Sequence, residues 1–104
     1  MKITVTEAAA KQIALASQQE STQGMVLRIA AKRKQDGSID YAMGFDEAQN
    51  NDTRIEAAGI NIVVASTSRE LLDGMTLDYV ALEPGKYEFI FLNPNDPHYI
   101  PPKQ

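Results

Sequence analysis

Asp36-Gly37 sits between two runs of alternating residues, and this arrangement restricts the fold more tightly than anything else in the chain. Before it, Met25 to Ala31 places Leu27, Ile29 and Ala31 on one side and Val26, Arg28 and Ala30 on the other. After it, Ile39 to Phe45 places Tyr41, Met43 and Phe45 on one side and Ala42 and Gly44 on the other. Period-two alternation is the mark of a half-buried strand. Asp and Gly both tolerate positive φ, so Asp-Gly between such runs predicts a tight antiparallel hairpin at Gln35-Asp36-Gly37-Ser38. A hairpin alone is marginal and needs further strands to cover it.

The rest of the chain supplies them. Met1 to Val5 reads as a short extended entry. A helix is predicted from about Glu7 to Gln18, with Thr6 as N-cap and Thr4 as its rival, since Thr4-Val5-Thr6-Glu7 spells a capping box. Ala9, Ile13 and Ala16 form a narrow apolar stripe, which suits a helix lying on a sheet. Gln19 to Gly24 is polar and ends that element, and Asp46 to Thr53 reads as an acidic loop. Ile60 to Ala65 is β-branched and predicts a buried strand. Ser66 or Thr67 is expected to cap a short helix through Leu72, stopped by Gly74. Met75 to Leu82 and Tyr87 to Leu92 read as two strands around a Pro84-Gly85 turn, and Asn93-Pro94-Asn95 breaks the second. Residues 1–95 are expected to form one domain, followed by a tail at 96–104 that holds three of the five prolines. Strands joined by short turns, with two helices, define a mostly β chain.

With 104 residues, 43% of them hydrophobic, the chain suits a single core. Its net charge of −4 disfavours nucleic acid, which needs a basic surface. Lys32-Arg33-Lys34 is the only basic cluster and reads as a solvated strand end. No apolar run approaches the roughly 18 to 20 residues of a membrane span, and Met1-Lys2-Ile3-Thr4-Val5 lacks the pattern of a leader. A cytoplasmic protein that touches neither nucleic acid nor membrane is the expectation.

Four segments carry a resemblance. They are Ile3-Thr4-Val5-Thr6-Glu7-Ala8-Ala9, Leu27-Arg28-Ile29, Leu72-Asp73-Gly74-Met75-Thr76-Leu77-Asp78-Tyr79-Val80, and Phe89-Ile90-Phe91-Leu92-Asn93-Pro94-Asn95. Together they resemble the A-type iron–sulfur carriers, the HesB/IscA-like family, from Ile3 to Asn95. The resemblance implies a β-sandwich of mixed sheets with a helix after the first strand and a short one in mid-chain. It also implies iron or cluster binding through three cysteines, whose positions fall here at Asp36, Ile100 and Pro102. The chain has no cysteine. Clusters are held by thiolate; aspartate offers only oxygen, and isoleucine and proline offer no side-chain donor. The expectation is a degenerate member that carries no cofactor.

Asp36, Asp40, Asp96 and His98 are the oxygen and nitrogen donors nearest the lost positions, and a mixed His and carboxylate set can hold zinc or ferrous iron. Each has a plainer reading: Asp36 opens a turn, Asp40 faces solvent, and Asp96 and His98 lie in the tail. Asp46, Glu47, Asp52 and Glu56 read as a solvated acidic loop rather than a cation site. Arg28 lies among apolar strand residues, so its stem should pack while its head reaches a carboxylate. No nucleophile–base pair and no Gly-rich phosphate loop is evident, and Ser66 and Ser68 are explained by helix capping, so an enzyme is not expected. The leading expectation is a docking module that binds iron–sulfur assembly components, client proteins or a cysteine-bearing relative. Exposed strands around Tyr41, Met43 or Tyr79 would serve such contacts, or contacts with further copies of the chain. The alternative is a metal or small-ligand protein with a site near Asp36 and His98.

Overall fold

In the computed structural model, which describes residues 1–18 and 23–97, the alternation of the second strand decides the layering. In β2 (Val26–Arg33), Leu27, Ile29 and Ala31 are buried, while Arg28 and Ala30 are only partly covered. Strand β3 (Ile39–Asp46) pairs with it antiparallel, from Val26 opposite Asp46 to Arg33 opposite Ile39. On its other side β2 pairs in parallel with β5 (Ile60–Val64), which pairs antiparallel with β4 (Thr53–Ala57). The four strands lie in the order β3-β2-β5-β4. The second sheet has the order β1-β6-β7, with β1 (Ile3–Val5) parallel to β6 (Met75–Glu83) and β7 (Lys86–Leu92) antiparallel to it.

Both sheets are therefore mixed or paired across short turns, and their inner faces share one core. Ile3, Val5, Met75 and Leu77 from the smaller sheet meet Leu27, Ile29, Ile62 and Val64 from the larger. Helix α1 (Glu7–Ser17) buries Ala9 and Ile13 and packs against β5 and β6, so the narrow stripe does lie on sheet. Thr6 is the N-cap: its Oγ1 accepts from the Ala9 N–H at 3.2 Å. Thr4 is the exposed middle residue of β1 and has no capping role.

Three local expectations change. The Asp36-Gly37 hairpin is not the two-residue mirror-image turn. Gly37 donates to the Lys34 carbonyl at 3.0 Å and Lys34 donates to the Ser38 carbonyl at 2.8 Å. Only Gly37 has positive φ, at 89°, so an ordinary turn is followed by a glycine bulge. The mirror-image turn occurs instead between β4 and β5, at Ala58 (φ 51°) and Gly59 (φ 79°). An L-residue other than Gly, Asn or Asp is strained there. Ala58→Asn is therefore expected to stabilise the fold by about 0.5 kcal/mol. Thermal unfolding should rise by about 2 to 4 °C, and no rise would show that the turn tolerates alanine without cost.

Second, Ser66 to Ser68 forms a 3-10 turn that runs into α2 (Arg69–Leu72), and neither Ser66 nor Thr67 caps it, because the preceding Ala65 is the N-cap. Ser68 is buried and does something else. Its hydroxyl accepts from the Ala31 N–H at 3.1 Å and donates to the Ala31 carbonyl at 3.3 Å. Strand β5 pairs with β2 only at Leu27 and Arg28. The hydroxyl thus satisfies backbone groups of β2 beyond that short ladder. Third, Thr53–Ala57 is a strand that the alternation of neighbouring segments did not mark.

Candidate functional site

The loop at Asp36, the expected first ligand position, is closed on itself. The Asp36 carboxylate accepts from both the backbone N–H of Ser38, at 3.0 Å, and the Ser38 hydroxyl. The Arg33 guanidinium donates to the Gly37 carbonyl at 2.6 Å. Asp36 itself is exposed, and Ser38 is buried beneath it. Asp40 is exposed and stands opposite Lys32 across the hairpin.

The same hairpin is fastened to the end of β7. The Tyr41 ring stacks on Phe91 with centroids 4.5 Å apart and planes within 3°. Its hydroxyl donates to Asp96 at 3.0 Å. Burial pushes the Tyr41 phenol up to about 12; the bond to Asp96 and that carboxylate's charge add to the shift, and a bond with Asn93 opposes it. Tyr41 is therefore a neutral donor across the ordinary pH range. The chain beyond β7 thus starts alongside β3, the strand that follows the Asp36 loop. His98, Ile100 and Pro102 lie outside the described residues. Among the described residues, no three His, Asp or Glu side chains come together as a group able to hold a metal.

Two contacts went beyond what residue patterns indicated. The first joins two of the resembling segments. Asn93 is 1% exposed, and its amide donates to the Leu71 carbonyl at 2.5 Å. The Asn95 amide donates to the Asp73 carbonyl at 2.8 Å, and the Asn95 N–H donates to the Asn93 side chain at 3.0 Å. Asn-Pro-Asn is thus a clasp on the carbonyls at the C-terminal end of α2, where no further turn of helix supplies N–H donors to them. Gly74 is needed for its left-handed backbone (φ 86°) rather than for space, since a Cβ there would only touch the Pro94 ring at 3.4 Å. Its N–H donates to the Lys2 carbonyl at 2.7 Å, and the Lys2 N–H donates to Asp73 at 2.8 Å, so the clasp also fixes the entry into β1.

The second is the partner set of Arg28. Its guanidinium grips Asp52 with two bonds of 2.8 and 2.6 Å, reaches Asp46 at 2.8 Å through Nε, and donates to the Glu47 carbonyl at 3.2 Å. Asp52 has a side chain only 2% exposed and also accepts from the Gln49 N–H at 2.7 Å. Asp52 is therefore drawn in under Arg28 with Asp46 at its rim, while Asp46, Glu47 and Glu56 stay exposed as a solvated loop would have them. The Arg28 bond, helped by the Gln49 N–H, lowers the Asp52 carboxyl to about 2. Asp46 is lowered by the Glu47 N–H and then by Arg28, and Arg28 is held charged by its bonds to Asp52 and Asp46.

A carboxyl depressed on folding contributes stability above its ordinary value near 4 and loses that contribution as pH falls towards its folded value. Stability measured by urea unfolding should therefore fall between about pH 4 and pH 2. In Asp52→Asn it should be lower at pH 7 and change less steeply over that acid window. Equal slopes in the two proteins would mean that the Arg28–Asp52 pair does not act in solution.

The sequence matches the model of the family described as iron-sulphur cluster biosynthesis over residues 1–96, and the chain belongs to that family. It is 32% identical over 98 residues to the iron-binding protein IscA of Enterobacter sp., covering 91% of this chain and 88% of that one. It is 30% identical over 94 residues to the iron-sulfur cluster insertion protein ErpA 2 of Methylococcus capsulatus, covering 89% and 72%. Among solved structures, IscA with a [2Fe-2S] cluster superimposes with a TM-score of 0.74 at 25% identity, covering 89% of this chain and 86% of that one. SufA of Escherichia coli superimposes with a TM-score of 0.72 at 27% identity, covering 91% and 88%. The mostly β fold with mixed sheets and two helices is thus that of the HesB/IscA-like proteins, built by a member without cysteine.

Proposed function

We propose that this protein works in iron–sulfur cluster biosynthesis by binding partners and not by holding a cluster itself. The observation that supports this reading is the combination of a complete frame with no cysteine in 104 residues. Asp36, the expected loop position, is turned onto Ser38, and Asn93 and Asn95 are engaged in the clasp. These residues keep the shape of a carrier while removing the sulfur that cluster binding requires. What remains is a surface that other proteins can recognise. The partners we infer are a cysteine-bearing relative, other assembly components in the cytoplasm, or a client protein, and the action is binding rather than catalysis.

Anaerobic incubation with ferrous iron and sulfide tests the first half. The desalted protein should carry no visible cluster absorption and no bound iron; a stable chromophore on the pure chain would overturn the proposal. Titration of the labelled chain with a cluster-loaded, cysteine-bearing family member tests the second half. Amide shifts confined to one surface, with the cluster staying on the partner, are expected. Absence of binding to such a member, and to every other assembly component and client tried, would leave the docking role without support.

A further inference from the structure

The hairpin of β6 and β7 runs out past the core. Its pairing continues to Glu83 opposite Lys86, yet every residue from Ala81 to Glu88 is exposed. A two-stranded ribbon without a core on either face is only marginally stable in water. One face of it nevertheless continues the apolar row of the core. Leu77 stands opposite Phe91, then Tyr79 opposite Phe89, then Ala81 opposite Tyr87. Tyr79 packs on Phe89 at 4.7 Å and on Tyr87 at 5.7 Å between ring centroids, so the three rings form an aromatic strip. Tyr87, at its outer end, is 58% exposed. At its inner end the row is covered, because the Tyr41 ring lies flat on Phe91. The hydroxyl of the same Tyr41 holds Asp96. The chain therefore passes Asp96 at the covered end of the row, and His98-Tyr99-Ile100-Pro101-Pro102-Lys103-Gln104 is still to follow.

We propose that the occupant of this strip is the chain's own segment Tyr99-Ile100-Pro101-Pro102, laid over Phe89, Tyr79 and Tyr87 as Tyr41 is laid over Phe91. Length, conformation and charge all support this occupant. From Phe91 to Tyr87 the strand covers about 13 Å. From Asp96 to Pro102 a polyproline II chain covers about 19 Å, so the segment reaches the outer end of the strip. Ile100 and Pro101 each precede a proline, which bars the helical region and favours extended backbone. Such a segment loses little freedom on docking, and aromatic rows are the surfaces that proline-rich segments seat on. Its four apolar residues gain a partner, and the strip gains the cover that the larger sheet does not give it. Glu83 and Glu88 set two carboxylates against the single ammonium of Lys86 near the tip of the ribbon, and Lys103 brings the matching charge. The segment acts as a strap: a protein that binds the ribbon must first displace it. This placement concerns the chain alone and does not rest on the proposed docking role.

The chain has no cysteine, so Gln104→Cys accepts a nitroxide spin label at one position only. In the full-length labelled protein, amide signals from Ala81 to Phe89 should broaden several-fold more than those of the Lys34 to Ser38 turn, which also lies near Tyr41. Tyr87→Ser, a change at an exposed position, should abolish that excess. Ile100→Ser should do the same without touching the ribbon, which keeps the test valid if the first variant disturbs the fold. Unlabelled, isotope-enriched chain mixed with labelled, unenriched chain should show no broadening. Equal broadening of ribbon and turn would overturn the proposal. So would an excess that survives both substitutions, or broadening in the mixed sample, which would assign the strip to the segment of a second copy.

Discussion

Asp36→Cys, Ile100→Cys and Pro102→Cys together should convert a chain that retains no iron after anaerobic reconstitution into one that retains a cluster. The expected gain is on the order of one iron and one sulfide per chain, since a [2Fe–2S] unit takes four thiolates and so must draw on two chains that hold three each. The argument is geometric. Asp36 lies five positions before Tyr41, and Tyr41 holds Asp96 at 3.0 Å. An extended chain spans about 3.3 to 3.6 Å per residue. The loop is thus no more than about 18 Å of chain from Tyr41, and Ile100 no more than about 14 Å of chain from Asp96. The fold supplies a common origin for the segments that bear all three positions. The loop should tolerate the change: Gly37 keeps the turn, and Asp36 gives up its bonds to the N–H and hydroxyl of Ser38. Absorbance together with iron and sulfide analysis reads the result. A folded triple variant that binds nothing would mean that the ligand positions were placed wrongly, whereas the single Asp36→Cys change should fail for want of thiolates.

The parts of this fold legible in the sequence were those governed by neighbours in the chain. Leu27, Ile29 and Ala31 are buried as their alternation required, because a strand has only two faces. Thr6 caps α1 because its oxygen needs to reach only three residues ahead. Strand β4 escaped notice because Thr53-Arg54-Ile55-Glu56-Ala57 has one large apolar residue and lies at a sheet edge, where little burial is needed to hold it. Asp-Gly did mark a hairpin at Asp36, but the turn type depends on which backbone groups bond across it, and the longer loop won. The mirror-image turn went to Ala58, a residue with no turn preference, because two paired strands fix its conformation from both sides.

At the candidate site the balance was different. The absence of cysteine could be read directly, since it is a matter of residue type. Arg28 among apolar neighbours foretold a carboxylate, but not which one. Asp52 is 24 residues away, and the two-pronged geometry exists only once the loop has folded back. Ser68 looked like a cap because serine before a helix usually is one. Its actual partner is Ala31 of β2, 37 residues earlier and beyond the end of the β5 ladder. Function in this chain therefore has to be sought in surfaces assembled from distant segments, not in a run of motif residues.

The clasp at Asn93 is the clearest of those distant contacts, and Asn93→Ala should be among the most damaging single changes to stability. The side chain is 1% exposed, bonds the Leu71 carbonyl through its amide, and accepts from the Asn95 N–H through its oxygen. Truncation leaves the Asn95 N–H without that acceptor and the Leu71 carbonyl with the longer 3.3 Å bond from the Asn95 amide, and it opens a void where the buried side chain stood. Orphaning buried polar groups costs about 1 to 3 kcal/mol, and the void adds to that. A total of about 2 to 3 kcal/mol should lower thermal unfolding by roughly 10 to 20 °C. Asn95→Ala removes the 2.8 Å bond to the Asp73 carbonyl at an exposed position, where water can replace it, and should cost about 1 kcal/mol or less. The ranking is the decisive feature. If stability came mainly from α1 and the inner strands, both changes would be mild and alike. If the clasp closes the sandwich by holding the end of α2, the entry of β1 and the exit of β7 together, Asn93→Ala must be the worse of the two, and the Tyr41 ring should lose its ordered stacking on Phe91 in the same variant.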